Sequence, residues 1–500
     1  MEVVLGAKHD SHGSLTRRQL LKSGIYGGLA AGLAGSIGPF GCNRRSKIKG
    51  PNIVFILIDT LRADRLGLYG HKEGLSPAID SVGAEGVTFD STVAQSPWTQ
   101  PSIASLFCSR YPAVHKVLSL KLAQAMRWGR AQKMAVFTDS FTTLAETLRD
   151  NGYETAGFIA NFLMSSYYGF AQGFDFYADM PYRNQQVGDV SGNVLNKEAI
   201  TWLRRRKTRK PFFLYMHYMD VHGPYYSRPQ FHEPLFAQVE KMPAKRKLSD
   251  KQKRALGYLT TKQAAPIITR YNKLADYLEF WSAFYDAGVR EQDQHIAEFI
   301  TDLKDMDLWD DSYVVITADH GEELQEHGYW SHGYSLYHTE LHVPLIMHRP
   351  GVLPAGKRIK ETVRLIDIMP TLLDQLDMPA ASGMQGRSLK DVIAGTPPAK
   401  PAAAFSEGVK DGPKKKSLYL GDWKLIVTPG EKTHELYNIA DDPMEQKNVY
   451  ARYPVRAREL AGLLQEQMER NHRLGLKTDA KKIPLTPEQY EQLKSLGYVR

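Results

Sequence analysis

Cysteine is almost missing from this chain. Cys42 and Cys108 are the only two in 500 residues, too few for a disulfide framework, and no paired Cys/His spacing marks structural zinc. Cys108 sits in the apolar run Leu106-Phe107-Cys108 and reads as a packed thiol. No segment beyond residue 50 is apolar enough to span a bilayer. Internal repeats and heptad arrays are lacking, which excludes a solenoid or a coiled coil. Basic motifs interleaved with aromatics are lacking too, so nucleic acid is not an expected partner. The formal charge of +9 is modest for this length. Part of it lies in Arg44-Arg45-Lys47-Lys49 and part in Lys245-Arg246-Lys247 with Lys251, Lys253 and Arg254. The second cluster reads as a solvated face.

What is present describes a globular protein. Hydrophobic residues make up 42% and charged residues 24%, ordinary values for a soluble chain. The length exceeds what one core supports, so a large domain with a smaller companion is expected. Near the start, "TRRQLLK" (Thr16 to Lys22) precedes the glycine-rich stretch "SGIYGGLAAGLAGSIGPFG". So many glycines make a poor anchor helix, and the pattern suits a twin-arginine export signal. Residues 1–50 are therefore expected to be signal and linker, read by the twin-arginine export machinery, with the rest periplasmic or otherwise extracytoplasmic. Cys42 after Gly41 is a candidate lipid anchor, although Pro39-Phe40 departs from the usual Leu-small-small pattern.

"NIVFILID" (52–59) is a near-continuous β-branched run, as in a strand buried on both faces of a parallel sheet. Similar runs recur in "PFFLYMHYMD" (211–220), "SYVVITADH" (312–320) and "VPLIMH" (343–348). Helical patterns lie between, in "FTTLAETLRDNG" and "EQDQHIAEFITDLKDM". This alternation predicts a doubly wound α/β domain over 51–395. "TPPAKPAAA" reads as a linker, followed over 396–475 by a small sheet and a helix around "RARELAGLLQEQMER", then a tail over 476–500. The polar, lysine-rich stretch 231–266 is expected to be an insertion over the active face.

The chemically loaded segments end strands, where such sheets bind ligands. Asp59 closes the first strand; on that segment alone it is as well explained as a helix cap. Asp319-His320-Gly321 closes the third. His320, His327, His332 and His338 crowd this region, so a divalent cation held by two carboxylates, an imidazole and a hydroxyl is the better reading. "HYMDVHGPYY" supplies His217, Asp220 and His222. His222-Gly-Pro forces a turn, where an imidazole can bind an anion or protonate a leaving oxygen; His217 reads as a packed strand residue. In "QSPWTQPSIASLFCSRYP", Pro101 presets a first helical turn, and Thr99 and Ser102 flank a helix start whose free N–H groups attract anions. Thr99 alone is explained by a cap; with the other segments converging on it, it reads as a metal-activated nucleophile.

These residues, with "RLIDIMPTLLDQL" and "ELYNIADDPMEQKNV", resemble in their order the sulfatases of the alkaline phosphatase superfamily, over roughly residues 51 to 450. The resemblance implies an α/β/α sandwich with a smaller C-terminal α+β domain, one divalent metal ion, and hydrolysis of sulfate or phosphate-type esters through a covalent intermediate. It implies Asp59, Thr99, Asp319 and His320 as metal ligands and Thr99, His222 and His332 as catalytic residues, with Asn161 in a further family segment. The substrate it implies is an anionic ester, on a sulfated glycan or a phosphodiester. Two departures stand out. Formylglycine sulfatases carry C/S-x-P-S-R, whereas this chain has Thr99-Gln100-Pro101-Ser102-Ile103; threonine cannot become formylglycine, because its Cβ already bears a methyl group. Thr60 and His320 replace one member each of the Asp-Asp and Asp-Asn pairs that hold calcium in many sulfatases, and imidazole moves the preference toward Mn²⁺ or Zn²⁺. The resulting set is similar to that of threonine-dependent phosphoethanolamine transferases and, less closely, of phosphonate monoester hydrolases. A binding protein on a catalytically lapsed sulfatase scaffold is the alternative from another class.

Overall fold

The computed structural model describes residues 50–118, 133–183, 190–259 and 263–490, apart from positions 399, 411, 432 and 488. The twin-arginine segment and Cys42 lie outside the described residues. The described residues form one compact unit.

The strands, in chain order, are β1 (Asn52–Ile58), β2 (Val87–Val93), β3 (Lys133–Ala135), β4 (Glu154–Ile159), β5 (Phe176–Asp179), β6 (Phe212–Tyr218), β7 (Ser312–Thr317), β8 (Glu323–Leu324), β9 (Trp330–Ser331), β10 (His342–Val343), β11 (Leu345–His348), β12 (Lys357–Arg364), β13 (Ala404–Glu407), β14 (Lys416–Leu420), β15 (Trp423–Val427), β16 (His434–Asn438) and β17 (Lys482–Pro484). The main sheet runs β10-β2-β11-β7-β1-β6-β4-β5, with β12 beside β2. Its centre is parallel: β1 pairs with β6 and with β7, so that Leu57 lies level with His217 on one side and Thr317 on the other. All seven residues of β1 are buried, and each large apolar side chain there contributes roughly 1.5–3 kcal/mol. The run at 343–348, expected to be parallel, is instead antiparallel to β7 and β2. Residues 318–344, which join β7 to β11, hold the β8–β9 hairpin and one short helix, with no long crossover helix to return the chain in parallel.

The helices among the described residues include α1 (Pro77–Ala84), α2 (Thr99–Cys108), α3 (Leu144–Asp150), α4 (Gly192–Arg205), α5 (Pro229–Lys241), α6 (Leu278–Asp305) and α7 (Pro454–Gly475). A capping box between Thr143 and Glu146 starts α3. The stretch 231–266 is largely helical, and aromatic contacts of Phe236 with Phe280 and Phe284 lay α5 along α6. None of the helices among the described residues is long and apolar enough to cross a membrane.

The C-terminal sheet, β13-β14-β15-β16, is covered by α7. Its apolar cluster of Phe405, Leu418, Leu425, Leu436 and Leu460 also takes in Tyr111 and Ile366 from the larger lobe. The stretch read as a tail returns a strand, β17, to β3.

Candidate active site

The parallel register brings the ends of β1, β6 and β7 to one edge, and with them Asp59, His217 to His222, and Asp319-His320. The first turn of α2 meets the same edge. Ser102 fastens it there, donating from Oγ to the Asp319 carbonyl at 2.6 Å. Thr99 opens the helix and is completely buried. Its Oγ lies 3.4 Å from His320 Nε2. Gly321 must be glycine, because a Cβ there would sit 2.0 Å from the Thr339 carbonyl oxygen.

Asp59, Asp319 and His320 offer ligand atoms all within 4.8 Å of one another. One oxygen of each carboxylate is already engaged. Asp59 Oδ2 accepts from Asn161 Nδ2 at 2.7 Å and from His217 Nε2 at 3.1 Å. Asp319 Oδ1 accepts from the backbone N–H of His320 at 2.9 Å and of Thr60 at 3.3 Å. The other oxygens, Asp59 Oδ1 and Asp319 Oδ2, have no hydrogen-bond partner among the described residues. They face His320 Nε2 at 3.6 and 3.4 Å. His320 Nδ1 donates to the Gly321 carbonyl at 2.9 Å, which leaves the Nε2 lone pair directed at the carboxylates.

Lone pairs gathered in a dry site repel one another and cost several kcal/mol unless a cation joins them. The ionisation behaviour agrees. Burial, and then the neighbouring Asp59 charge, push the Asp319 carboxyl well above its usual range. Burial also raises Asp59, but the hydrogen bond from His217 and the charges of His222 and His320 outweigh it and hold that carboxyl low. Burial and then His332 keep His320 neutral, well below an ordinary imidazole. The donor set fits one divalent cation, with Thr99 Oγ beside it as the fourth group.

His222 and His332 stand beside the cluster. Their rings are 5.0 Å apart, and the rings of His332 and His320 are 4.4 Å apart. His332 Nδ1 bonds Glu322 Oε2 at 2.9 Å, and Tyr225 donates to Glu322 Oε1 at 3.0 Å. Burial raises Glu322 to about 8. Burial lowers His332, as do the charges of His222 and of Lys410, a buried lysine from the loop after β13. Lys410 is anchored by its backbone N–H to the Gly333 carbonyl at 2.8 Å. A cavity of about 270 Å³ opens beside His222, lined also by Asp220, Tyr226, Gln263 and Glu291.

Each sequence-predicted site residue, Asp59, Thr99, His222, Asp319, His320 and His332, thus lies in this one cluster. The other two histidines of the crowded region do not. His327 bonds Glu323 at 2.8 Å, and His338 stacks on His342. His217 is more than a packed strand residue, since it orients Asp59. Glu322, Tyr225 and Lys410 gave no local signal of a site role. Ile103, where formylglycine sulfatases carry arginine, is part of the apolar core. Cys108 is a packed thiol, pushed up to about 12 by burial.

A mixed sheet with helices around it, a smaller C-terminal sheet, and an Asp-Asp-His-Thr cluster at the strand ends define a hydrolase of the alkaline-phosphatase-like fold. The sequence model of the family described as Sulfatase matches residues 51–378, and the chain belongs to that family. A second model, N-sulphoglucosamine sulphohydrolase, C-terminal, matches residues 325–473. Arylsulfatase K of Mus musculus is 24% identical over 447 residues, covering 81% of this chain and 77% of its own. N-acetylglucosamine-6-O-sulfatase of Bacteroides thetaiotaomicron is 23% identical over 507 residues, covering 85% and 87%. Among solved structures, BT4656 in complex with its substrate D-glucosamine-2-N,6-O-disulfate superposes with a TM-score of 0.69 at 21% identity, over 85% of this chain and 98% of that one. The phosphonate monoester hydrolase of Agrobacterium radiobacter superposes with a TM-score of 0.66 at 20% identity, over 87% and 100%.

Proposed function

We propose that this chain is a metal-dependent hydrolase of sulfate or phosphate-type esters in which Thr99 Oγ is the attacking atom. The observation that carries the reading is the placement of that oxygen, 3.4 Å from His320 Nε2, beside two carboxylate oxygens that lack hydrogen-bond partners among the described residues. A divalent cation held by Asp59, Asp319, His320 and Thr99 would supply the positive charge that acidifies the hydroxyl and offsets charge on the ester oxygens.

The chain's own groups do the rest. The first turn of α2 presents N–H groups to an anion beside Thr99. As Thr99 Oγ bonds to sulfur or phosphorus its proton passes to water, the ester S–O or P–O bond breaks, and His222 is placed to give a proton to the departing alcohol oxygen. His332, held by Glu322, is placed to manage the proton of the water that later cleaves the threonine ester. Burial keeps bulk water from competing with these charges. The route differs from that of a formylglycine enzyme, which explains the tolerance of Ile103 where an arginine would support the aldehyde.

The relatives named as sulfatases support a sulfuric ester substrate, and the phosphonate monoester hydrolase neighbour supports a phosphodiester or phosphonate. Matched aryl sulfate, aryl phosphodiester and aryl phosphonate substrates, tested with Mn²⁺, Zn²⁺ and Ca²⁺, decide between them. Thr99→Ala and Asp319→Ala are expected to abolish turnover with the fold intact. Full activity in Thr99→Ala would end the nucleophile assignment. Arg17-Arg18 supports action outside the cytoplasm, and loss of export in an Arg17→Lys/Arg18→Lys variant is the test.

A further inference from the structure

We propose that a lysine-lined cavity on the C-terminal side of the catalytic centre is a second anion site, which holds a remote sulfate or phosphate group of a sugar chain. Lys116, Lys414, Lys415, Lys416 and Lys482 line a cavity of about 380 Å³ together with Glu407. They arrive from three places in the chain: the end of the short helix Pro112–His115, the segment that leads into β14 and its first residue, and strand β17.

Most of this charge is uncompensated. Glu407 pairs with Lys416 and accepts from the Ala113 backbone N–H at 2.7 Å, while Lys415 pairs with Glu435 at 3.1 Å. Lys116, Lys414 and Lys482 have no carboxylate partner among the described residues, and Lys414 and Lys482 are exposed. In the basic cluster at 245–254 two of the six cations are paired. Arg246 pairs with Glu279 at 2.9 Å and Lys253 pairs with Asp276. Three unmatched ammonium groups in one concavity repel one another and focus a positive field, a cost that a bound oxyanion offsets.

The position identifies the occupant. Gly408 and Val409 line the cavity, and the next residue is Lys410, beside His332. The Gly408 carbonyl accepts from Trp98 Nε1 at 2.8 Å, and Trp98 precedes Thr99. One short segment therefore separates the lysine cavity from the catalytic cluster. On this proposal, an ester held at Thr99 and an oxyanion held at the lysines belong to one extended molecule that passes over this segment. The volume suits a charged sugar unit better than a free ion. This placement rests on the proposed function for the first group, but the binding it predicts is measurable without turnover.

The test is binding of the full chain to fluorescent dextran sulfate, dextran phosphate and neutral dextran of matched length, across a salt series. A Lys116→Gln/Lys414→Gln/Lys482→Gln variant should bind dextran sulfate or dextran phosphate at least about tenfold more weakly, with an unchanged melting temperature and a shallower salt dependence. A control variant, Lys245→Gln/Lys251→Gln/Arg254→Gln, removes the same charge and should shift affinity less than about twofold. Preference between the two charged dextrans names the oxyanion. Equal weakening in both variants, or weakening in neither, overturns the site, as net charge would then explain all binding. Single-stranded DNA bound as tightly, and lost in the same variant, would overturn the sugar-chain assignment. Inactivity of the wild type toward every ester, with cavity-dependent binding intact, would instead overturn the proposed reaction alone.

Discussion

At the scale of single residues, the balance of the site turns on groups that never touch substrate. Asn161 and His217 occupy one oxygen of Asp59 and so direct the other toward His320 and Thr99. Removing either should leave the ligands in place but poorly aimed. We expect His217→Ala and Asn161→Ala to weaken metal affinity about 10- to 100-fold, read by competition with a chelating dye; unchanged affinity would show that Asp59 needs no orientation. Thr99→Ala should lower kcat by about 10³-fold or more, since the remaining groups cannot replace a nucleophile. Thr99→Ser should retain measurable turnover. Initial rates at matched metal content check both.

At the scale of elements, a buried carboxylate ties α6 to α1. Asp293 accepts from the backbone N–H of Ala78 at 3.0 Å and of Ile79 at 2.9 Å. Those bonds lower its pKa, but burial outweighs them and raises it to about 6. The unfolded value is near 3.9, so the folded state binds this proton more tightly. The linked stability is complete below about pH 4 and is lost as pH rises through about 6, a change on the order of 3 kcal/mol. In Asp293→Asn that loss should vanish, which denaturant midpoints at pH 4 and pH 7 would reveal; an identical pH dependence in both proteins would remove the claim. Elements such as this were unequally legible in sequence. β1, β6 and β7 announced themselves through near-continuous apolar runs, and α2 through Pro101. The reversal at 343–348 did not, because an apolar run carries no sign of strand direction. Lys410 was invisible for a different reason: its place beside His332 depends on a loop packing across the whole chain, which no local spacing records. His217 was legible as a strand residue, but its bond to Asp59 appears only once β1 and β6 are in register.

For the whole molecule, the described residues form one body, and a cation at the proposed site would link the ends of two strands and a helix start. Removing the metal should cost stability as well as activity. At a hundredfold excess over its dissociation constant, a bound ion adds about 2.7 kcal/mol. We therefore expect the melting temperature to fall with EDTA and recover with Mn²⁺ or Zn²⁺, and a melting temperature indifferent to both would argue against a single tight site. A final consequence follows from Lys410 lying beside His332. A gene product ending before Ala404 would retain every proposed ligand of the cation yet leave one wall of the candidate site unbuilt. Co-expressing the missing fragment is then a direct way to ask whether the two pieces can reassemble a working enzyme.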